Sequence, residues 1–169
     1  MQILNSSIED IASIFKLYEE AIIFQKTKFN KHWQGFERTL VETEISENRQ
    51  WKIVIDEQIA CIFAVTYEDV LIWGEKSNDP AIYIHRIATN PAFRGQHFVK
   101  AIINWANAFC KLNNKKFIRM DTWGDNEPLI AYYQSCGFQF LGLTTLQKSE
   151  GLPKHYEGAC LSLFEIEVN

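Results

Sequence analysis

The sequence predicts an α/β (α+β) fold, in which a central mixed, mostly antiparallel sheet carries helices on both faces. Two observations support it. Helical and extended patterns alternate along the 169 residues, and two adjacent β-rich runs are separated by a three-residue turn that indicates a hairpin. The length fits a single domain, residues 1–169, and suffices to bury a substantial core.

The predicted order of elements is β-α-α-β-β-β-α-β-α-β-β. Ser6 and Glu9 have the spacing of a capping box, and apolar residues at helical intervals predict a first helix that ends near Phe24. Helices are also predicted over 36–45, 95–112 and 126–136. Strands are predicted over 1–5, 51–55, 59–65, 81–89, 117–122, 138–145 and 159–168, with irregular loops at 25–35 and 74–80.

Composition and charge exclude several classes of protein. Hydrophobic residues make up 47% of the chain and aromatic residues 14%, so a disordered chain is excluded. The net charge of −4 and the absence of a basic stripe argue against a nucleic-acid partner. Because the N-terminus lacks a positively charged region and no long apolar run follows, neither a signal peptide nor a membrane partner is expected.

The cysteines indicate a reducing compartment. The four of them lie far apart, form no CxxC pair and have no histidine nearby at metal-binding spacing. We therefore expect reduced thiols that pack as small apolar side chains, a cytoplasmic protein and no metal site.

The most informative segment joins a strand to a helix. Pro91 lacks a backbone donor and should end the strand 81–89, after which Phe93-Arg94-Gly95-Gln96 opens an amphipathic helix. A helix N-terminus attracts anions, Arg94 adds positive charge, and Gly95 lets a ligand approach the backbone. By itself the segment fits an anion site or an ordinary strand–turn–helix connection.

Two motifs extend this interpretation. Arg94 begins a segment similar to Arg/Gln-x-x-Gly-x-Gly/Ala, although His97 and Val99 replace the later small residues, and Asn126–Phe138 matches Asn-x₆-Tyr-x₃-Gly-Phe with both spacings intact. On these residues the chain, from Ile84 to Phe138, resembles the GNAT superfamily of N-acetyltransferases. The resemblance implies an acyl-CoA N-acyltransferase architecture over the whole chain, with acetyl-CoA as cosubstrate and no metal.

The resemblance also implies which residues bind acetyl-CoA. Backbone amides near Ile87 and Thr89 would polarise the thioester carbonyl, and Asn126 would bind the pantetheine arm, cap a helix, or do both. A side chain at His97 would either crowd the diphosphate or donate a hydrogen bond to it. The implied cofactor-binding residues are Ile87, Ala88, Thr89, Arg94, Gly95, Gln96, His97, Phe98, Val99, Asn126 and Tyr133.

Acetyl transfer to an amine requires a neutral amine, a polarised carbonyl and a stabilised thiolate. The resemblance implies Tyr133 as the acid; the alternative is a tyrosine that only packs on its helix. His85 is the candidate base. Strand alternation places it on one face of the strand with Tyr83, Ile87 and Thr89, and its position is similar to that of the histidine base of arylalkylamine acetyltransferases. The alternatives are a hydrogen-bonded histidine in the sheet, no dedicated base, or one of Glu68, Asp69 and Asp121.

The acceptor stays open at this point. We expect a primary amine of a small molecule or peptide, and strand edges near the C-terminus would allow a homodimer. Aromatic residues that could contact the acceptor are His32, Trp33, Trp73, Trp123 and Tyr156 (next to His155). The second reading is a CoA-binding interaction module without turnover, favoured by the departures at His97 and Val99; a dinucleotide-dependent oxidoreductase is disfavoured because GxGxxG is missing.

Overall fold

The structure, a computed structural model, describes residues 1–29, 31–146 and 158–168. The strands are β1 (Gln2–Asn5), β2 (Gln50–Ile55), β3 (Gln58–Thr66), β4 (Ala81–Thr89), β5 (Phe117–Trp123), β6 (Gln139–Thr145) and β7 (Cys160–Glu167). The helices are α1 (Ile11–Lys28), α2 (Arg38–Ser46), α3 (Val70–Trp73), α4 (Phe98–Leu112) and α5 (Glu127–Ser135). Short 3₁₀ turns occupy Ile8–Asp10, Gly74–Asn78 and Pro91–Phe93.

The seven strands form one sheet in the order β1-β2-β3-β4-β5-β7-β6. The β4–β5 pair is parallel, whereas the recorded pairs β1–β2, β2–β3, β5–β7 and β6–β7 are antiparallel. This confirms the predicted mixed, mostly antiparallel sheet. Within the described residues no helix combines the length and apolar character needed to cross a membrane.

Several boundaries differ from the sequence prediction. The capping box pairs Ser7 with Asp10 rather than Ser6 with Glu9, and the Ser7 amide donates to the Asp10 carboxylate at 2.7 Å. Helix α1 continues beyond the predicted end near Phe24 to Lys28. The positive charges of Lys26 and Lys28 stabilise the negative C-terminal end of the helix dipole, although this last turn has no apolar stripe. Helix α3 was not predicted, because four apolar residues give no helical periodicity.

The chain divides into two compact units. The first comprises Met1–Val65 and Arg86–Phe98, and the second comprises Thr66–His85 and Val99–Asn169. Strand β4 therefore contributes its first five residues to the second unit and its last four to the first.

The core of the first unit forms where the apolar face of α1 packs. Ile14 and Tyr18, on adjacent turns of α1, contact Val41 of α2, Ile62 of β3 and Ala88 of β4. All five residues are nearly or fully buried, so they exclude water from this core. The position of the end of β4 is thus fixed by apolar packing.

A buried ion pair holds the same part of β4. Both carboxylate oxygens of Glu44, on α2, accept from the Arg86 guanidinium, which also donates to the Tyr18 hydroxyl at 3.2 Å and lies 5.1 Å from the Phe36 ring centroid. Burial opposes the charge of Arg86, but Tyr18 and Glu44 outweigh it and raise the pKa of the guanidinium. Arg86 has φ 51, so these contacts stabilise a residue with strained left-handed backbone within β4.

The second unit is organised around a buried cation on β5. The Arg119 side chain is 1% exposed and donates to Glu165 at 2.7 Å, to the Tyr83 hydroxyl at 3.0 Å and to Asp79. Its guanidinium also lies 4.9 Å from the Trp73 ring centroid. These partners come from β7, β4, α3 and the residue after the Gly74–Asn78 turn, so one side chain connects four segments of the unit.

Replacing Glu44 by alanine should strongly destabilise the protein. Arg86 would keep its charge in a buried position without its carboxylate, which costs about 3–5 kcal/mol of unfolding free energy. Urea denaturation followed by circular dichroism measures this loss. The control is Glu42→Ala, which breaks an exposed pair with Arg38 on the same helix and should cost less than about 0.5 kcal/mol. Equal losses in the two variants would contradict the role given to Glu44.

Candidate active site

The turn after β4 is held by Asn90. Its amide donates to the Ala60 carbonyl at 2.9 Å, its side-chain nitrogen donates to the Ile59 carbonyl at 3.0 Å, and its side-chain oxygen accepts from Ala92 at 3.1 Å. Pro91 starts the 3₁₀ turn that follows, as its fixed φ favours. These hydrogen bonds therefore fix the start of the turn that carries Arg94.

Helix α4 begins at Phe98, three residues later than the sequence predicts. Gly95 has φ 83 and His97 has φ 55, and such left-handed backbone cannot belong to a right-handed helix. His97 stands where the similar motif carries glycine, the residue that adopts this conformation without steric cost. The histidine that replaces the motif's glycine at position 97 is therefore a site of backbone strain.

The two side chains after His97 are directed inward. Phe98 is 4% exposed and Val99 is 9% exposed. Both residues lie in the first turn of α4, and the first N–H groups of an α-helix have no acceptor within the helix itself. Phe98 and Val99 are thus packing residues through their side chains, and only their backbone amides suit an anion.

Arg94 packs on an aromatic ring that sequence reasoning missed. Its guanidinium carbon lies 4.3 Å from the ring centroid of Phe24, while the Arg94 side chain remains exposed. A guanidinium over an aromatic face is attracted electrostatically and stays free to bind an anion at its edge. Phe24 was predicted to end α1, and the additional helical turn supports its position.

In the second unit, β4 and β5 each present one polar side chain, and Asp69, at the start of α3, lies beside them. The parallel register pairs Ala81–Tyr83 with Phe117–Arg119, and His85 and Asp121 each lie two residues further on, on the faces of Tyr83 and Arg119. His85 Nδ1 is 3.8 Å from Asp121 Oδ1, and His85 Nε2 is 3.3 Å from Asp69 Oδ2. The imidazole therefore has a carboxylate at each nitrogen.

Asp69 reaches this position at the start of α3. It occupies the N-cap position, but its side chain makes no capping hydrogen bond, and its backbone amide donates to the Ser77 hydroxyl at 2.7 Å. Its side chain is 7% exposed, and Oδ2 is a buried oxygen without a hydrogen-bond donor. The carboxylate thus gives up a capping interaction of about 1 kcal/mol to face His85.

The same three side chains approach metal-binding spacing. One ligand atom from each of Asp69, His85 and Asp121 lies within 4.8 Å of the others. The two carboxylates, however, face different nitrogens of the ring, whereas one ion would be bound by one nitrogen. The arrangement suits hydrogen bonding to an imidazole better than a shared ion.

Tyr133 lies on α5, which begins and ends as the sequence predicts. The Asn126 side chain accepts from the Leu129 amide at 3.2 Å, and Gly137, with φ 107, follows the helix C-terminus. The Tyr133 ring lies 6.1 Å from Phe138 and 5.2 Å from Phe164 between centroids. Both ends of the Asn-x₆-Tyr-x₃-Gly-Phe motif thus fix the tyrosine.

Burial raises the pKa of the Tyr133 phenol above its ordinary value, and the neighbouring Tyr132, Cys136 and Asp121 raise it further. The phenol therefore stays protonated throughout the physiological range, as a proton donor must. Burial also raises the pKa of Tyr132, to about 12, with a further contribution from Cys136. Asp121 is near both the candidate base and the candidate acid, because it faces His85 and its negative charge raises the pKa of Tyr133.

Most of the aromatic residues considered for the acceptor belong to packed clusters. Trp33 lies 5.3 Å from Phe36 between ring centroids, within the first unit's core, and Trp73 is 5% exposed beneath Arg119. Trp123 packs against the core of the second unit. The candidates His155 and Tyr156 lie outside the described residues. Trp33, Trp73 and Trp123 are therefore explained by packing alone.

With this geometry in place, comparisons with known proteins give the family. The model of the acetyltransferase (GNAT) family matches residues 25–138, which is more than half of the chain. The chain belongs to the GNAT family of acetyltransferases. It is thus a transferase, specifically an acyltransferase of the N-acetyltransferase type, as the motifs predict.

Individual relatives agree with this assignment. YesJ, an uncharacterized N-acetyltransferase from Bacillus subtilis (strain 168), is 25% identical over 142 residues, 79% of each protein. A GNAT-family acetyltransferase from Listeria monocytogenes 4b F2365 has the same fold, with a TM-score of 0.78 and 23% identity over 98% of this chain and 94% of that one. The acetyltransferase yncA from Salmonella typhimurium, solved with acetyl-CoA, gives a TM-score of 0.70 at 10% identity over 100% of this chain and 94% of its own.

Replacing His97 by glycine should stabilise the protein. The substitution relieves a left-handed conformation that costs a non-glycine residue about 1 kcal/mol or more, which exceeds the entropic cost of glycine. Urea denaturation should show a gain of up to about 1 kcal/mol. Gln96→Gly is the control, because Gln96 is not among the residues with positive φ and its replacement should lose about 0.5 kcal/mol. Equal losses in both variants would contradict the assignment of strain.

Proposed function

We propose that this chain transfers the acetyl group of acetyl-CoA to a primary amine of a small molecule or peptide, by direct attack of the amine on the thioester. Family membership supports the reaction class. The observation that supports the residue roles best is the arrangement around Asp121, which faces His85 and also influences the Tyr133 phenol.

The diphosphate of acetyl-CoA is assigned to the turn before α4. Arg94 supplies charge from an exposed guanidinium on Phe24, and the amides of Gly95, Gln96, His97, Phe98 and Val99 supply hydrogen-bond donors. Ile87, Ala88 and Thr89 bind the pantetheine arm and the carbonyl through backbone groups. Asn126, which caps α5 through its oxygen, and Tyr133 complete the cofactor-binding set. No resident metal has a role in this proposal.

Tyr133 is the acid and His85 the base. The acceptor arrives as an ammonium, and His85 takes one of its protons before the nitrogen attacks the carbonyl carbon. Collapse of the tetrahedral species breaks the carbon–sulfur bond, and Tyr133 protonates the departing thiolate. The nitrogen loses its second proton as the amide forms, and that proton restores the Tyr133 phenol through water. The raised pKa of Tyr133 keeps the phenol protonated until that moment.

The acceptor class can be identified by an acetyl-transfer screen. Release of free CoA from acetyl-CoA is followed with polyamines, arylalkylamines, amino acids, aminoglycosides and peptide N-termini. Turnover with one class supports the proposal and names the substrate. Tight acetyl-CoA binding without turnover across the panel would favour the CoA-binding module instead. One structural neighbour is a spermidine N-acetyltransferase, a chimera of Vibrio cholerae SpeG and hSSAT at 12% identity, which makes polyamines a sensible first arm.

The proposal also includes a domain organisation, a cellular compartment and an oligomeric state. The chain acts as a single N-acetyltransferase domain, since the family match at 25–138 includes parts of both units. It acts in the cytoplasm, because its four cysteines are free thiols. The edge strand β6, near the C-terminus, offers a surface for a homodimer.

Reversing the charge of Arg94 should weaken acetyl-CoA binding. Arg94→Glu replaces attraction to the diphosphate by repulsion, and the loss of one charge-assisted contact alone raises Kd roughly 10- to 100-fold. Isothermal titration calorimetry measures the change. Arg38→Glu, an exposed arginine on α2, serves as the control and should leave Kd unaltered. The assignment of Arg94 would be rejected if both variants bound acetyl-CoA like the parent protein.

Removing the Tyr133 hydroxyl should lower kcat much more than it changes KM. Tyr133→Phe keeps the ring packed against Phe138 and Phe164 but deprives the thiolate of its proton donor, which should cost roughly 10²- to 10⁴-fold in kcat. Steady-state kinetics with the amine found in the screen measures both constants. Tyr132→Phe is the matched control on the neighbouring residue. An unchanged kcat in Tyr133→Phe would remove Tyr133 from the mechanism.

A further inference from the structure

We propose that Phe24 is a positioning residue for acetyl-CoA binding, because its ring holds the Arg94 guanidinium where that group meets the diphosphate. The inference rests on the proposed function, since it takes the diphosphate site at Arg94 as given and adds a residue to it. Phe24 lies on α1, outside the strand–turn–helix segment that carries Arg94, although both residues belong to the first unit. The ring acts through Arg94 and does not need to touch the cofactor.

Arg94 differs from the other arginines in the kind of partner it has. Four of the five arginines of the chain are ion-paired with a carboxylate: Arg38, Arg49, Arg86 and Arg119. Within residues 1–29, 31–146 and 158–168, Arg94 forms no ion pair and its side chain makes no hydrogen bond. Its exposed guanidinium instead lies 4.3 Å from the ring centroid of Phe24.

A ring partner leaves the charge of Arg94 available to a ligand. A carboxylate would neutralise the guanidinium and occupy the N–H donors that phosphate oxygens use. An aromatic ring attracts the cation through its negative face but carries no net charge, and it takes up none of the hydrogen bonds in the plane of the guanidinium. Phe24 therefore holds Arg94 without competing with an anion.

Both residues are attached to fixed segments of the first unit. Next to Phe24, the side-chain oxygen of Gln25 accepts from the Trp33 amide at 2.8 Å, which ties the end of α1 to the segment that follows it. The turn with Arg94 starts at Asn90, whose amide and side chain both donate to carbonyls of β3. Because both backbones are held, the contact restricts mainly the rotamers of the Arg94 side chain.

This restriction should strengthen the binding of acetyl-CoA. An exposed arginine side chain samples many rotamers and loses that freedom when it binds an anion. A guanidinium already restricted by Phe24 loses less, so more of the attraction to the diphosphate appears as affinity. At an exposed site the attraction between a cation and an aromatic ring corresponds to about a 2- to 5-fold change in Kd.

The test is a double-mutant cycle on the Kd for acetyl-CoA, measured by isothermal titration calorimetry. Phe24→Leu keeps an apolar side chain and a good helix former but removes the ring, and it should raise Kd about 2- to 5-fold. Arg94→Gln should raise Kd roughly 10- to 100-fold. Adding Phe24→Leu to Arg94→Gln should cause no further loss, because the ring then has no guanidinium to hold.

The matched control is Phe29→Leu, the same substitution at the residue that ends α1. Phe29 is 44% exposed and Phe24 is 38% exposed, so the two substitutions change similar amounts of accessible apolar surface. Phe29→Leu should leave the Kd for acetyl-CoA unchanged. Urea denaturation should give similar midpoints for both leucine variants, which separates a loss of binding from a loss of folding.

A second readout tests the electrostatics of the ring itself. Mono-, di- and trifluorinated phenylalanine at position 24 keep the shape of the ring closely while withdrawing negative charge from its face. The Kd for acetyl-CoA should rise with each added fluorine. Phe24→Trp supplies the ring that attracts cations best and should bind at least as tightly as the parent protein. A constant Kd across the fluorinated series would overturn the inference.

The outcomes separate the inference from the proposed function. A parental Kd in Arg94→Gln, or no binding of acetyl-CoA by the parent protein, would overturn both. A raised Kd in Arg94→Gln with a parental Kd in Phe24→Leu would overturn the inference alone. An equal effect of Phe24→Leu with and without Arg94 would also overturn it, because the ring would then act independently of the guanidinium.

Discussion

The buried Arg119 guanidinium is the constraint on which the arrangement of polar side chains in the second unit depends. A cation that is 1% exposed must be fully paired, and its partners come from β4, β7, α3 and the residues near the Gly74–Asn78 turn. The pairing of Tyr83 with Arg119 sets the parallel register of β4 and β5. His85 and Asp121, two residues beyond, face each other because that register is fixed.

In the proposed mechanism, the base and the acid lie in two different kinds of environment. Asp69, His85 and Asp121 form a cluster with excess negative charge, which favours gain of a proton. Tyr133 is packed among Phe138, Phe164 and Tyr132, and burial there raises the pKa of its phenol. The proposed base thus lies beside carboxylates and the proposed acid lies among aromatic rings, and general acid–base catalysis uses such a contrast between environments.

The sequence predicted elements whose signals are local. Strand β4 ends where Asn90-Pro91 ends it, and α5 lies between its Asn126 cap and Gly137, because caps and proline act over a few residues. The face shared by Tyr83 and His85 was also predicted from strand alternation, which holds up to Arg86, where the backbone adopts a positive φ. The Asn-x₆-Tyr-x₃-Gly-Phe motif around Tyr133 could also be found from the sequence, because its spacings lie within one short segment.

What the sequence could not predict depends on packing between distant segments. Nothing near Asp69 indicates that its side chain leaves the cap position to face His85, 16 residues away. The contact of Arg94 with Phe24 depends on a last turn of α1 that carries no apolar stripe. Because His97 has left-handed backbone, α4 begins only at Phe98. The one signal of this in the sequence is that His97 replaces a glycine of the motif.

The pH dependence of kcat in the parent enzyme, measured with an acceptor found by the screen, tests the account most directly. The account predicts a single acidic limb from His85 and a plateau that extends to the alkaline end of the range, because the Tyr133 phenol titrates above its ordinary value. A decline of kcat centred below about pH 10, the ordinary value of a phenol, that disappears in Tyr133→Phe would contradict it.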